Sequence, residues 1–220
     1  MSNTQRVVII NGSPRATEAS TSEFLSQLAE KKFTGEGAQV QRIIARKSLK
    51  EDPQRDFDAM RMADTVIFVF PLYFFCTPGL LIRFLQDFAA YLTDHPGRHA
   101  QRVYAVVNCG FPEPDINAEA IRVIESFSRH IGAEFGFGVG IGGGGMLYGT
   151  KDAPFMKPLF AGLDSAFSRM VQGSAGDNVM LAIHFPRRLY FVMGNFGWKQ
   201  MAHQNGLKKR ELYKRPYVQR

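Results

Sequence analysis

The chain is poor in the residues that build inorganic centres. Its 220 residues include two cysteines, Cys76 and Cys109, and no CxxC pair, so a disulfide scaffold, a cysteine-rich zinc site and an iron–sulfur cluster all lack ligands. The five histidines, at positions 95, 99, 130, 184 and 203, fall at no metal-like spacing. Pro96 and Gly97 break any helix that would pair His95 with His99, and a solvated turn is expected there. No charged start followed by a long apolar run precedes the first strand-like segment, and no uncharged stretch is long enough to span a bilayer. A soluble, cytoplasmic protein is therefore expected. Acids are scarce in one place: residues 184–220 carry nine Lys/Arg and one acid, Glu211, whereas residues 1–183 carry eighteen Lys/Arg and nineteen Asp/Glu. The net charge of +7 is thus local, dividing the chain into a near-neutral body, 1–183, and a basic extension, 184–220.

An apolar content of 45% suffices for a buried core. Five short β-rich runs recur with helical patterns between them: Arg6–Ile10, Gln39–Ile44, Thr65–Phe70, Arg102–Asn108 and Glu134–Ile141. Such alternation predicts a parallel sheet covered on both faces, a doubly wound α/β sandwich with strand order 2-1-3-4-5. Ser20 and Glu23 form a candidate capping box ahead of Phe24, Leu25 and Leu28. Thr77-Pro78 reads as an N-cap and first turn ahead of Leu80, Leu81, Phe84, Leu85 and Phe88, and Asn117 can cap a helix carrying Ile121, Ile124 and Phe127. A last helix is predicted from Pro154 to Val171.

In such folds ligands bind beyond the carboxyl ends of the strands, so the loops there carry the function. The first holds Asn11-Gly12-Ser13-Pro14-Arg15 and then Ser20-Thr21-Ser22 at a helix start, where unpaired N–H groups, hydroxyls and an arginine suit a phosphate monoester. It lacks both the Walker lysine and GxGxxG, which argues against triphosphate hydrolysis and dinucleotide binding. A purely local role, Gly12 and Pro14 shaping a turn and the serines capping the helix, is the alternative. The third strand leads into Pro71-Leu72-Tyr73-Phe74-Phe75-Cys76-Thr77-Pro78-Gly79, whose aromatics suit a flat heteroaromatic ring, although one of Phe74 and Phe75 is expected to fill the core instead. Asn108-Cys109-Gly110-Phe111 follows the fourth strand; Cys109 there is a redox thiol or a packing residue. Gly142 to Gly145 follow the fifth, and composition alone fits a mobile linker as well as close approach to a ligand.

Over about residues 5–145 these motifs resemble the flavodoxin-like NAD(P)H-dependent FMN reductases, a family related to the iron–sulfur flavoproteins. The resemblance rests on Asn11 to Arg15, Ser20-Thr21, Pro71-Leu72-Tyr73 with Thr77-Pro78-Gly79, and the loop after the fourth strand. It implies FMN, with its phosphate held by Ser13, Arg15, Ser20, Thr21 and Ser22 and its ring against Pro71, Leu72, Tyr73, Phe74, Phe75, Asn108, Cys109, Gly110 and Phe111. It also implies hydride transfer from NAD(P)H to flavin, then electron transfer to a quinone, free flavin, nitro- or azo-aromatic or protein, in a homodimer. The cofactor would carry the chemistry, so no catalytic side chain is required. Residues 45–58 contain no cysteine, so the cluster of the iron–sulfur flavoproteins is not implied. Arg15 and Ser20 stand one residue further apart than the family pattern. A non-enzymatic electron carrier and a phospho-ligand binding module remain as alternatives. The extension, read as one or two amphipathic helices with an apolar stripe and a cationic face, is expected to pack on the body or a second subunit, adsorb to an anionic membrane, or dock an acidic redox protein. Nucleic acid is the least expected partner.

Overall fold

The strands are buried on both faces, and successive side chains enter alternate cores. In the computed structural model, which describes residues 4–15, 20–97, 101–147 and 149–214, Val7 and Ile9 of β1 (Arg6–Asn11) point into one core and Val8 and Ile10 into another. This is the period-two consequence of a strand covered on both faces. The first core is closed by α1 (Thr21–Gly35) through Leu25, Ala29 and Phe33, and by α7 (Lys157–Val171) through Leu159, Leu163 and Phe167. The second is closed by α3 (Gln54–Arg61), α4 (Gly79–Asp94) and α5 (Ala118–His130), with Phe57, Phe84, Phe88 and Ile121 against the opposite face. Each fully buried Phe, Leu or Ile contributes roughly 1.5–3 kcal/mol, so the two cores dominate the stability of the body.

The sheet is parallel throughout, with order β2-β1-β3-β4-β5-β6. Its remaining strands are β2 (Gln39–Ile44), β3 (Thr65–Pro71), β4 (Arg102–Asn108), β5 (Glu134–Ile141) and β6 (Val179–Leu181). The expected winding is present, but there are six strands where the sequence predicts five. The sixth, three residues long, pairs with β5 through Val139↔Val179 to Ile141↔Leu181. Short helices α2 (Ala45–Ser48) and α6 (Gly144–Leu147) complete the body.

Two caps differ from expectation. Pro78, not Thr77, is the N-cap of α4, and the Thr77 hydroxyl is buried without a partner. Asn117 occupies the N-cap of α5 but sends its amide to Pro114 O (2.9 Å) and Ile141 O (3.3 Å), because a 3₁₀ turn, Pro114–Asn117, leads into the helix. The helix predicted from Pro154 begins as α7 at Lys157, after a separate 3₁₀ turn over Pro154–Met156. His95 is exposed and stacks on Tyr91 at 4.1 Å; His99 lies outside the described residues.

The chain divides into two compact units, Met1–Ile183 and His184–Arg220. In the second, the described residues form α8 (Arg187–Gln204) and a 3₁₀ turn, Lys209–Tyr213; α8 is closed by Gly206 at φ +81°, with N–H bonds from Gly206 to His203 O (2.9 Å) and from Leu207 to Ala202 O (3.0 Å). Leu189, Val192, Met193 and Phe196 share one side of α8 at i, i+3, i+4, i+7 spacing, but the apolar surface is not confined to it. Phe196 and Trp198, two residues apart, point about 160° from each other on an α-helix, and Phe191 and Val192 also fall on different sides. No residue of α8 is buried, and no helix among the described residues is long and apolar enough to cross a membrane.

Candidate functional site

The hydrogen bonding of the sheet runs one residue past the strands into the loops. Gly12 N–H donates to Val69 O (2.9 Å), Leu72 to Asn108 O (2.8 Å), Cys109 to Ile141 O (3.0 Å) and Gly142 to Leu181 O (2.9 Å). The four loops are thereby rooted side by side along the carboxyl edge.

In the first loop Gly12 is required by packing, since a Cβ there would lie 2.7 Å from Leu81 Cδ2 of α4. Asn11 is buried; its Oδ1 accepts the Ser13 N–H (3.0 Å) and its Nδ2 donates to Glu23 Oε2 (2.9 Å). Ser13 Oγ accepts the Arg15 N–H (3.4 Å), and the Arg15 residue is exposed. Ser20 Oγ accepts the Glu23 N–H (3.2 Å), which is half of the expected capping box; the Glu23 carboxylate turns to Asn11 and Arg42 instead of reaching back to Ser20. Thr21 and Ser22 face inward. The single hydroxyl proton of Thr21 goes to Gly144 O (2.9 Å), and Ser22 Oγ is buried and accepts from Asn108 Nδ2 (3.1 Å). The Thr21 proton is thus used within the fold, whereas Ser13, Arg15, Ser20 and the Ser22 hydroxyl, which only accepts from Asn108, keep donors for an anion beside the N–H groups of the first turn of α1.

The loop after β3 is a two-residue hairpin. Tyr73 and Cys76 exchange N–H···O bonds of 2.9 Å in both directions, and Phe74 and Phe75 between them have φ of +48° and +60°. A tight turn with two positive φ values normally carries Asn-Gly, because side chains with a Cβ are strained there. The core-filling role expected of one of these two rings is not observed: Phe74 is 100% and Phe75 59% exposed. Phe75 stacks on Phe111 of the next loop (centroids 5.6 Å apart, 24° between planes), and Phe111 and Tyr73 are themselves exposed. Leu72 packs against the core, and Pro71 is half-buried.

Beyond β4 the buried Asn108 joins three elements, donating to Ser22 Oγ and to Phe70 O (3.2 Å). Cys109 packs under the loop, its Sγ 3.4 Å from Phe111 O and 3.6 Å from Asn117 Nδ2, and burial pushes its thiol pKa up. Of the two uses open in sequence, this burial disfavours the redox thiolate. Gly110 is open: a Cβ there would meet no atom within 4 Å. The glycine run is no mobile linker. A Cβ on Gly142 would lie 2.3 Å from Pro112 O and one on Gly144 2.9 Å from Asn108 Oδ1, while Gly143 has φ +72°. These glycines let two loop backbones meet; only Gly145 faces open space.

The site thus offers hydroxyl, arginine and backbone donors on one side and four exposed aromatic rings with an open glycine on the other. Thr77, just after the aromatic hairpin, supplies a buried hydroxyl without a partner. This donor set fits a mononucleotide with a phosphate tail and a flat polar ring. Sequence reasoning missed the carboxylate role of Glu23, visible only as a capping signal, and the inward turn of Thr21 and Ser22, which has no local signature.

Comparison with known proteins agrees with this architecture. Residues 5–122 match the model of a family described as having a flavodoxin-like fold. Among solved structures the chain is similar to an NADPH-quinone reductase from P. pentosaceus (18% identity, TM-score 0.54, covering 76% of this chain and 98% of that one). It is also similar to an FMN-dependent NADH-azoreductase from Bacillus anthracis in complex with FMN (15%, 0.54, 75% and 99%). A third is general stress protein 14 from Treponema denticola in complex with FMN (14%, 0.55, 76% and 98%). No curated protein matches the chain in sequence.

Proposed function

The chain belongs to the flavodoxin-like fold family, and from that premise we propose that it is an oxidoreductase that holds FMN at the carboxyl edge of its sheet, takes hydride from NAD(P)H and passes electrons to a second acceptor. The observation that carries the proposal is the pairing, on adjacent loop roots, of an anion-binding helix start with a cluster of exposed aromatic rings. Solved structures of similar fold that were determined with FMN support it. Bound FMN supplies the two-electron chemistry. The chain's own residues would then act as holders. Ser13, Arg15 and Ser20 with the first-turn amides of α1 neutralise the phosphate, Thr77 offers its unpaired hydroxyl, and residues 71–75 with 108–111 line the ring. Of those, Asn108 and Cys109 serve from beneath, through their backbone, because both side chains are buried. The exposed rings of Phe74, Phe75 and Phe111 would leave a flat face on which a nicotinamide and then an acceptor can lie in turn.

Titration of the purified chain with FMN, followed by absorbance and flavin fluorescence, tests the reading. The expected result is stoichiometric binding that a Ser13→Ala, Arg15→Ala double variant weakens at least tenfold, and bleaching of bound flavin by NADH or NADPH with no other protein present. Binding without bleaching would make the chain an electron carrier; no binding at all refutes the assignment. A reducing, cytoplasmic setting belongs to the same proposal, since Cys76 and Cys109 are both free thiols. For α8 we propose a second copy of the chain as partner, because a helix apolar on opposite sides suits enclosure by protein, whereas adsorption to anionic lipid needs one apolar and one cationic face. Sedimentation equilibrium should give a dimer that Phe196→Glu dissociates. A monomeric wild type, or one that floats with anionic vesicles, rejects that partner.

A further inference from the structure

We propose that Glu23 and Arg42 form a charge-compensated clasp that sets the phosphate affinity of the β1–α1 loop, Glu23 as the positioning residue and Arg42 as the counter-charge that makes a carboxylate tolerable there. The inference rests on the FMN reading and goes beyond it by assigning roles to two residues outside the ligand-facing set.

Glu23 ties both ends of the loop. At one end its N–H is held by Ser20 Oγ (3.2 Å); at the other its Oε2 accepts Asn11 Nδ2 (2.9 Å), and Asn11 Oδ1 in turn fixes the Ser13 N–H (3.0 Å). Its second oxygen accepts Gln27 Nε2 (3.2 Å) and Arg42 Nη1. Arg42 comes from β2, opposite Ile9 of β1, and its Nε also holds Glu30 Oε2 (2.8 Å). The carboxylate is well buried, with 11% of its side chain exposed, whereas Arg42 is at 33% and Glu30 at 37%.

The electrostatics explain why the arginine is needed. A carboxylate in the first turn of a helix uses the same N-terminal field that would hold a phosphate, so an uncompensated Glu23 would compete with the ligand and repel it. A neutral acceptor would tie Asn11 without that penalty, but a carboxylate ties it more strongly. Arg42 removes the repulsion while keeping the stronger bond. Glu30, also on Arg42, lies about 10 Å further along α1, two helical turns on, and is more open to solvent screening.

The test is a charge cycle read with two ligands, FMN and riboflavin, which lacks the phosphate. Arg42→Gln should weaken FMN by about tenfold, the size of one partly screened charge contact, and leave riboflavin within about twofold. Arg42→Lys should keep wild-type affinity. Glu23→Gln should bind FMN at least as tightly as wild type, and the Glu23→Gln, Arg42→Gln double variant should return to within about threefold of it. Circular dichroism melts of each variant report folding separately. Parallel losses for FMN and riboflavin would make the pair a scaffold only and overturn the proposal. So would a double variant no better than Arg42→Gln, or an Arg42→Gln protein with unchanged FMN affinity. A wild type that binds FMN no more tightly than riboflavin overturns the functional reading itself, a result seen before any variant is made.

Discussion

Phe74 stands at φ +48° with its side chain wholly exposed, so it bears backbone strain with no packing to offset it. A left-handed backbone costs an L-residue about 1–2 kcal/mol, which glycine escapes, at an entropic cost of roughly 0.5–1 kcal/mol in the unfolded chain. Phe74→Gly should therefore stabilise the ligand-free protein by about 0.5–1 kcal/mol, which for a body of this size raises Tm by roughly 1–4 °C. Phe74→Ala keeps the Cβ and should leave Tm within about 1 °C. Phe75→Gly relieves similar strain at φ +60° but forfeits the stack on Phe111, worth about 0.5–1.5 kcal/mol, so it should be close to neutral or destabilising. Differential scanning calorimetry of the four ligand-free proteins, supported by urea melts, reads the order Phe74→Gly above wild type and Phe74→Ala, with Phe75→Gly at or below them. If the glycine and alanine variants at position 74 melt together, or glycine melts lower, the hairpin stores no strain and the reasoning fails.

Tyr104 is fully buried, with its phenol donating to Ser174 O (2.8 Å), and burial pushes its pKa up to about 12. Between pH 10 and 12 the folded chain keeps a proton that the unfolded chain has released. Its contribution is complete below pH 10 and is lost as pH rises toward 12, at up to about 1.4 kcal/mol per unit; urea melts at pH 9 and 11 should show a smaller drop for Tyr104→Phe than for wild type. Gly142→Ala should cost about 1–3 kcal/mol because the Pro112 backbone must move, whereas Gly145→Ala, in open space, should be neutral or slightly stabilising in the same melts. With Ellman's reagent at pH 7.5, the exposed Cys76 should react promptly and Cys109 only on unfolding. Two fast thiols would contradict the packing described for Cys109.

The strands were legible where local pattern and burial agree. Thr65–Pro71 is a continuous apolar run because helices cover both of its faces, and it sits within a residue of its expected end. Val179–Leu181 escaped because three half-buried residues after Gly176-Asp177-Asn178 are too few to display a period, and its place is fixed by pairing with a strand about 40 residues earlier. Gly142 and Gly144 were ambiguous because what they meet, Pro112 O and Asn108 Oδ1, is distant in sequence. In the candidate site, residue types named the loops but not their orientation. Thr21 and Ser22 belong to the same hydroxyl cluster as Ser20, yet the turn of the helix points them at Gly144 and Asn108. Phe74 and Phe75 defeat turn rules outright, since those rules place glycine or asparagine at such φ values.

The lateral bonds from Gly12, Leu72, Cys109 and Gly142 divide the carboxyl edge into a stiff foundation and a free crown. Because every root is locked to its neighbour, any adjustment to a new reactant has to be made in the crown, chiefly at Phe74, Phe75 and Phe111. Under the proposed function those three rings also line the flavin, so exchanging them should alter cofactor and acceptor binding together while the rooted loop bases keep their places.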